Sequence, residues 1–217
     1  PARARAGLAG PRLGRRTGER GLTMADAGRV IAGSAKGIRL RAPGAGTRPF
    51  ADRVKQTLFA ILEPELDGAR VLDLFAGSGA GGIEALSRGA SGAIFVEKDQ
   101  GAAAVIDANL RAAGLAGPNA AVIRWDVVRW LAEPNVDAAF DLVLVDPPYA
   151  ETELLTRVLE ILGADGAPLA DDARIVAKHF WRDRPAERIG RLAFERDRRF
   201  GETALTFYRR TTREEPA

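Results

Sequence analysis

The run Val71-Leu-Asp-Leu-Phe-Ala-Gly-Ser-Gly-Ala-Gly-Gly-Ile83 decides the fold. Its opening residues, apolar except for Asp73, read as a strand. Glycines follow at once, and Ile83-Glu-Ala-Leu-Ser87 reads as the start of a helix. A strand that stops in glycines and turns into a helix is a nucleotide cradle. Glycines let backbone approach a ligand closely, and the N–H groups of the helix start point at it.

On either side of this run, strand-like and helix-like segments alternate. A helix over 51–62 carries Val54, Leu58, Phe59, Ile61 and Leu62 on one face, and Pro64 and Gly68 end it. After the glycines come a strand at 93–97, a helix at 99–113, a strand at 120–124, a short helix near 127–132 and a strand at 140–145. A helix at 151–162 has Leu154, Leu155, Val158, Leu159 and Leu162 in helical period, and a strand at 173–177 follows. Such alternation predicts a mostly parallel sheet covered on both faces. The stretches 192–198 and 203–209, around Gly201, predict a closing antiparallel pair.

Upstream, Arg29-Val-Ile-Ala32 and Ile38-Arg-Leu-Arg41 read as a hairpin around Gly33–Gly37, with basic residues projecting from a two-stranded arm. Residues 1–23 are rich in Arg, Gly, Pro and Ala, without the apolar stretch of a secretory signal. Met24 is the expected natural start. The expected organisation is a flexible extension over 1–27, an arm over 28–46, a catalytic domain over 47–210 and a tail over 211–217.

Composition narrows the chemistry. The 217 residues include no cysteine and one histidine, His179, so thiolate metal sites, disulfides and a Ser-His-Asp triad have almost no raw material. No run of 18 apolar residues is present, so no membrane span is expected. Charge is uneven. Residues 28–55 hold seven basic residues against Asp52 alone, 56–177 is strongly acidic, and 178–217 is basic again. Basic ends around an acidic centre predict a polyanion partner held at the rim of a catalytic domain.

Three further features carry the chemistry. The spacing after Gly77 and Gly79 departs from the dinucleotide fingerprint, and no phosphate-binding lysine follows. The carboxylate of Asp73 would repel a pyrophosphate but suits a ligand with an ammonium group, such as the methionine part of S-adenosylmethionine. Glu97, at the end of the second strand, is placed to accept both ribose hydroxyls of an adenosine. Asp126, after the third strand, is a candidate acceptor for an adenine amine. Asp146-Pro-Pro-Tyr149 follows a buried-type strand directly and so lies at the carboxyl edge of the sheet. Two prolines remove N–H groups and stiffen the loop. The Asp146 carboxylate and the Pro147 carbonyl are then placed to accept N–H bonds from an exocyclic base amine, with Tyr149 stacking on the base.

The set TRPFADRVKQTLFAIL, VLDLFAGSGAGGIEALSRGA, FVEKD, FDLVLVDPPY and FGETALTFYRR resembles the RsmD family of bacterial 16S ribosomal RNA guanine-N2 methyltransferases. The resemblance covers about residues 28–210. It implies a seven-stranded, Rossmann-like S-adenosylmethionine-dependent methyltransferase fold with an N-terminal β-hairpin arm. It implies S-adenosyl-L-methionine as cofactor, and 16S rRNA in the small ribosomal subunit as partner. It also implies a cytoplasmic monomer with no metal. The implied catalytic set is Asp146, Pro147, Pro148 and Tyr149. The implied cofactor set is Asp73, Phe75, Ala76, Gly77, Ser78, Gly79, Glu97, Lys98, Asp126 and Arg48. Arg29, Lys36, Arg39, Arg41, Arg48 and Arg53 are the expected nucleic-acid contacts. Thr47, Arg48, Pro49, Asp52 and Arg53 match a motif that lies over the cofactor and faces the substrate.

Three departures stand out: Gly81 where the family usually has Leu, Phe50-Ala51 where it has Thr-Thr, and Ala177-Lys178 where an acid is common. Gly81 is expected to loosen the loop–helix junction by roughly 1 kcal/mol. The residues leave other readings open: an N6-adenine DNA methyltransferase, a protein-glutamine methyltransferase, or a non-catalytic RNA-binding assembly factor. The short chain and the basic arm favour rRNA.

Overall fold

The computed structural model describes residues 26–44, 52–133, 139–148 and 151–212. Strands β1 (Asp26–Arg29) and β2 (Arg39–Arg41) form an antiparallel hairpin. The central segments are α1 (Asp52–Leu62), β3 (Arg70–Leu74), α2 (Ala80–Ser87), β4 (Gly92–Val96), α3 (Gln100–Ala112), β5 (Ala120–Ile123), α4 (Val127–Leu131), β6 (Phe140–Val145) and α5 (Thr152–Gly163). The chain closes with β7 (Leu169–Phe180), β8 (Arg188–Ile189), β9 (Leu192–Phe200) and β10 (Thr203–Arg210). Each predicted helix forms, with bounds moved by one residue or so.

The main sheet has the order β5-β4-β3-β6-β7-β10-β9-β8. The first five of these strands are parallel, and β10 runs antiparallel between β7 and β9. Seven strands were expected. The eighth, β8, is a two-residue addition at the edge. The order doubles back between β4 and β6, so β3 and β6 flank the crevice where parallel α/β sheets bind ligands.

Alternation along the strands splits the core in two. Val71, Leu144, Val176 and Phe207 face α1, α2, α3 and the hairpin, whereas Leu72, Val143, Ile175 and Tyr208 face α4 and α5. Both faces are buried, and β6 (FDLVLV) is accordingly a near-continuous apolar run.

The hairpin differs from expectation in register. Its first strand lies at Asp26–Arg29, about three residues earlier than predicted. The N–H groups of Ile31 and Ala32, needed for the predicted ladder, donate instead to the Glu84 carboxylate of α2 at 2.8 and 3.1 Å. Ala27, inside the expected flexible extension, is fully buried. The two-stranded unit is docked on the sheet's helical layer: Ala35 N–H donates to Ser87 Oγ, and Arg41 N–H donates to Asn109 Oδ1, both at 2.9 Å.

Candidate active site

The loop after β3 is built from left-handed residues. Phe75, Gly77 and Gly79 have φ of 59°, 54° and 75°. Glycine adopts this region without cost; for Phe75, a side chain with a Cβ, it stores of order 1–2 kcal/mol. Gly79 caps α2, and a Cβ there would lie 3.0 Å from Ile106 and 3.2 Å from Ile83. The loop is tied down on two sides. Gly77 N–H donates to Glu97 Oε2 at 2.9 Å, so the glycine turn and the predicted ribose acid form one unit. Asn109 of α3 donates to the Ser78 carbonyl at 2.8 Å and to the Arg41 carbonyl at 2.9 Å. Sequence reasoning passed over Asn109, which lies mid-helix without a motif around it, yet it knits glycine loop, α3 and hairpin together.

Asp73 is only 4% exposed. Its Oδ2 accepts from Gly82 N–H at 2.8 Å, in the first turn of α2. Burial pushes its carboxyl up to about 7; the Gly82 bond opposes this, while the Asp146 and Glu97 carboxylates add to it. A buried carboxylate with two acids nearby and one hydrogen bond is a site short of a cation. That shortage fits the ammonium of a methionine-like ligand, with Glu97 and the loop N–H groups around it.

Three charged side chains form a row along the carboxyl edge. Asp73 pairs with Leu144 and Val145 with Ala177, so Asp73, Asp146 and Lys178 project to the same face from neighbouring strands β3, β6 and β7. Lys178 Nζ donates to both Asp146 oxygens, at 2.9 and 2.7 Å. Lys178, one of the departures noted in the sequence, therefore lies against the Asp146 carboxylate and fixes its plane. Asp146 N–H donates to the Leu74 carbonyl at 3.3 Å. Pro147 is buried and Pro148 exposed. Tyr149 and Arg48 lie outside the described residues, as do Thr47, Pro49, Phe50 and Ala51.

Other predicted residues sort by exposure. Lys98 is exposed and Phe75, Ala76 and Asp126 half-buried. One Asp126 oxygen caps α4, accepting from Arg129 N–H at 3.1 Å. Arg29, Lys36, Arg39, Arg41 and Arg53 are all exposed. Arg39 pairs with Asp26 at 2.7 Å and Arg29 with Asp52 at 3.6 Å. Lys55, counted with this basic block from sequence, faces inward instead. It is fully buried, donates to the Arg29 carbonyl and lies 3.8 Å from Glu84. Burial lowers its pKa, against the pull of Glu84 and Asp52. Glu84 also binds Arg88 at 2.8 Å, and Arg88 reaches Glu63. Glu84 is thus the buried acid on which the hairpin, α1 and α2 converge. His179 is buried between the Phe180 carbonyl and the Thr206 hydroxyl, a packing role.

Gly81 also has an explanation. A Cβ at this position would lie 2.7 Å from Leu144 Cδ1 and 3.2 Å from Asp73 Oδ2. The junction is tight rather than loose: Leu144 fills the space that a larger residue would take.

A glycine loop after the central strand, an acid closing the next strand and Asp-Pro-Pro at the adjacent edge together define a methyltransferase with the S-adenosylmethionine-dependent fold. The family model described as Conserved hypothetical protein 95 matches residues 28–209, and the chain belongs to this family, the RsmD family. YlbH of Bacillus subtilis is 40% identical over 184 residues, 84% of this chain and 98% of YlbH. Ribosomal RNA small subunit methyltransferase D of Escherichia coli strain K12 is 40% identical over 148 residues, 68% of this chain and 72% of that protein. The solved structure of yhhF from Escherichia coli superposes with a TM-score of 0.75 at 34% identity, covering 84% of this chain and 97% of that one.

Proposed function

We propose that this protein methylates the exocyclic N2 amine of one guanine in 16S rRNA of the small ribosomal subunit, with S-adenosyl-L-methionine as donor. The observation that carries this reading is Asp146-Pro147 at the end of β6, one strand from the buried Asp73 of the glycine loop. The name of the Escherichia coli relative supports the substrate. When bound, the donor supplies an electrophilic methyl group on sulfur. Asp73 would hold its ammonium, Glu97 its ribose, and Asp126 would face its adenine with the carboxylate oxygen not capping α4.

The chain's own part is positioning. The Asp146 carboxylate and the Pro147 carbonyl accept the two N–H bonds of the target amine, which turns its nitrogen lone pair toward the methyl group. Lys178 occupies one lone pair on each Asp146 oxygen, and a carboxylate retains others for the amine. Asp146 is also the nearest acceptor for the proton that the nitrogen sheds. Tyr149 stacks on the extruded base. The exposed arm residues and Arg53 hold phosphates, together with Arg48. The protein works as a cytoplasmic monomer and needs no metal.

Incubating the protein and labelled donor with unmethylated small subunits, free rRNA and DNA, then identifying the modified nucleoside, tests the reading. N2-methylguanine in rRNA is expected, and Asp146→Ala should abolish it while donor binding persists. Label confined to DNA, or full activity in the Asp146 variant, would overturn it.

A further inference from the structure

We propose that the end of β7 and the β9–β10 turn form a second RNA-docking platform, which takes the single-stranded nucleotides flanking the target base. The proposal rests on the functional reading above and extends it to residues outside the basic arm.

The sheet order places this platform. Along the carboxyl edge, the donor-binding groups lie on β4 and β3, Asp146 follows on β6, and β7, β10 and β9 lie on the far side. A base presented to Asp146 has the donor on one side, so its neighbours in the strand run over the other. β7 continues past β6 there. Phe180 pairs with Thr203, which also pairs with Phe200, and Trp181 N–H donates to the Glu202 carbonyl at 3.0 Å. Trp181 therefore lies three residues beyond Lys178, roughly 10 Å along the strand direction.

Its surroundings match single-stranded RNA. The Arg199 guanidinium lies 3.7 Å from the centre of the Trp181 ring and that of Arg182 lies 4.8 Å away. Arg199 Nε is held by the Gly201 carbonyl at 2.9 Å, which fixes the stacked geometry. Phe180 flanks the indole at 6.2 Å. Arg182, Arg198 and Arg199 are exposed and make no ion pair among the described residues. By contrast, neighbouring Arg184 is spent on Asp197 and Glu187. Two exposed guanidinium groups stacked on an indole, with Arg198 in register with Lys178 on the other face of β9, offer phosphate contacts and planar stacking surfaces at the edge that handles a base. Asp183 and Glu202 are the exposed acids of the same turns, which leaves the cluster cationic.

The test uses the full-length chain, in-vitro-transcribed small-subunit rRNA and S-adenosylhomocysteine. The double variant Arg182→Ala/Arg199→Ala is expected to bind rRNA about tenfold more weakly, with the slope of log K against log salt less negative by about two. Its affinity for S-adenosylhomocysteine by calorimetry should stay at the wild-type value. Arg198→Glu touches no ring and should weaken rRNA binding in the same direction, even if Trp181→Ala fails to fold. Variants with wild-type rRNA affinity and salt slope would overturn the platform alone. Wild-type protein that binds no rRNA would overturn the functional reading, and the platform with it.

Discussion

Donor binding should be strongly pH-dependent below neutrality, and Asp73 sets the size of the effect. Its carboxyl titrates at about 7 in the folded protein, against an ordinary 3.8, chiefly because it is buried. Only the ionised form attracts an ammonium. The ionised fraction is a few per cent at pH 5.5 and about half at pH 7, so affinity should rise roughly tenfold over that interval, of order 1–2 kcal/mol. Isothermal titration with S-adenosylhomocysteine, which keeps the ammonium, measures this directly. Binding should also release protons, seen as an observed enthalpy that depends on buffer ionisation. In Asp73→Asn the affinity should be weaker and flat with pH. The unliganded protein should show the opposite trend in stability. A carboxyl whose folded pKa lies above its unfolded value favours the fold while protonated, so stability falls as pH rises from about 4 to about 7 and levels off above. The three-unit shift corresponds to a loss of order 4 kcal/mol across that window. Wild-type affinity that is flat or falling between pH 5.5 and 7 would refute the assignment of Asp73 to the ammonium.

Two other outcomes follow from buried charge. Replacing Lys178 with Met leaves Asp146 without its counter-ion beside Asp73, so the pH midpoint of donor binding should move up and kcat fall about tenfold, with Lys178→Arg restoring much of both. Calorimetry and single-turnover methylation separate the two effects. Glu84→Ala removes the acceptor of Ile31 and Ala32 and strands Lys55 in the interior, which should cost about 3–5 kcal/mol in a urea melt; a loss under 1 kcal/mol would show that the hairpin is held by apolar packing alone.

Much of the architecture was legible because its signals are local. Hydrophobic periodicity and glycine placement locate β3 through α5 to within a residue or two, and the glycine run is the turn between β3 and α2 that the sequence predicts. What escaped was set by contacts between distant segments. Nothing near Ile31 indicates that its N–H is taken by an acid more than fifty residues away, so the hairpin register came out about three residues late. Lys55 reads as one more cation of a basic block until its depth is known. The pairing of Lys178 with Asp146 depends on the β6–β7 register, which no pattern in either strand specifies. The insertion of β10 between β7 and β9 is likewise a matter of topology, and Arg199 of β9 meets Trp181, just past the end of β7, across it.

The absent side chain at position 81 makes two positions interdependent. With Leu144 Cδ1 only 2.7 Å from where a Cβ would stand, helix and strand share one parcel of volume, now assigned wholly to the strand. Enlarging residue 81 alone overfills the parcel, and shrinking residue 144 alone empties it. Doing both moves the volume across the interface, so the two costs should cancel rather than add. Asp73 borders the same parcel, so a bulkier residue 81 would also press on the Asp73 carboxylate. A leucine at this position would therefore call for a smaller residue first at position 144.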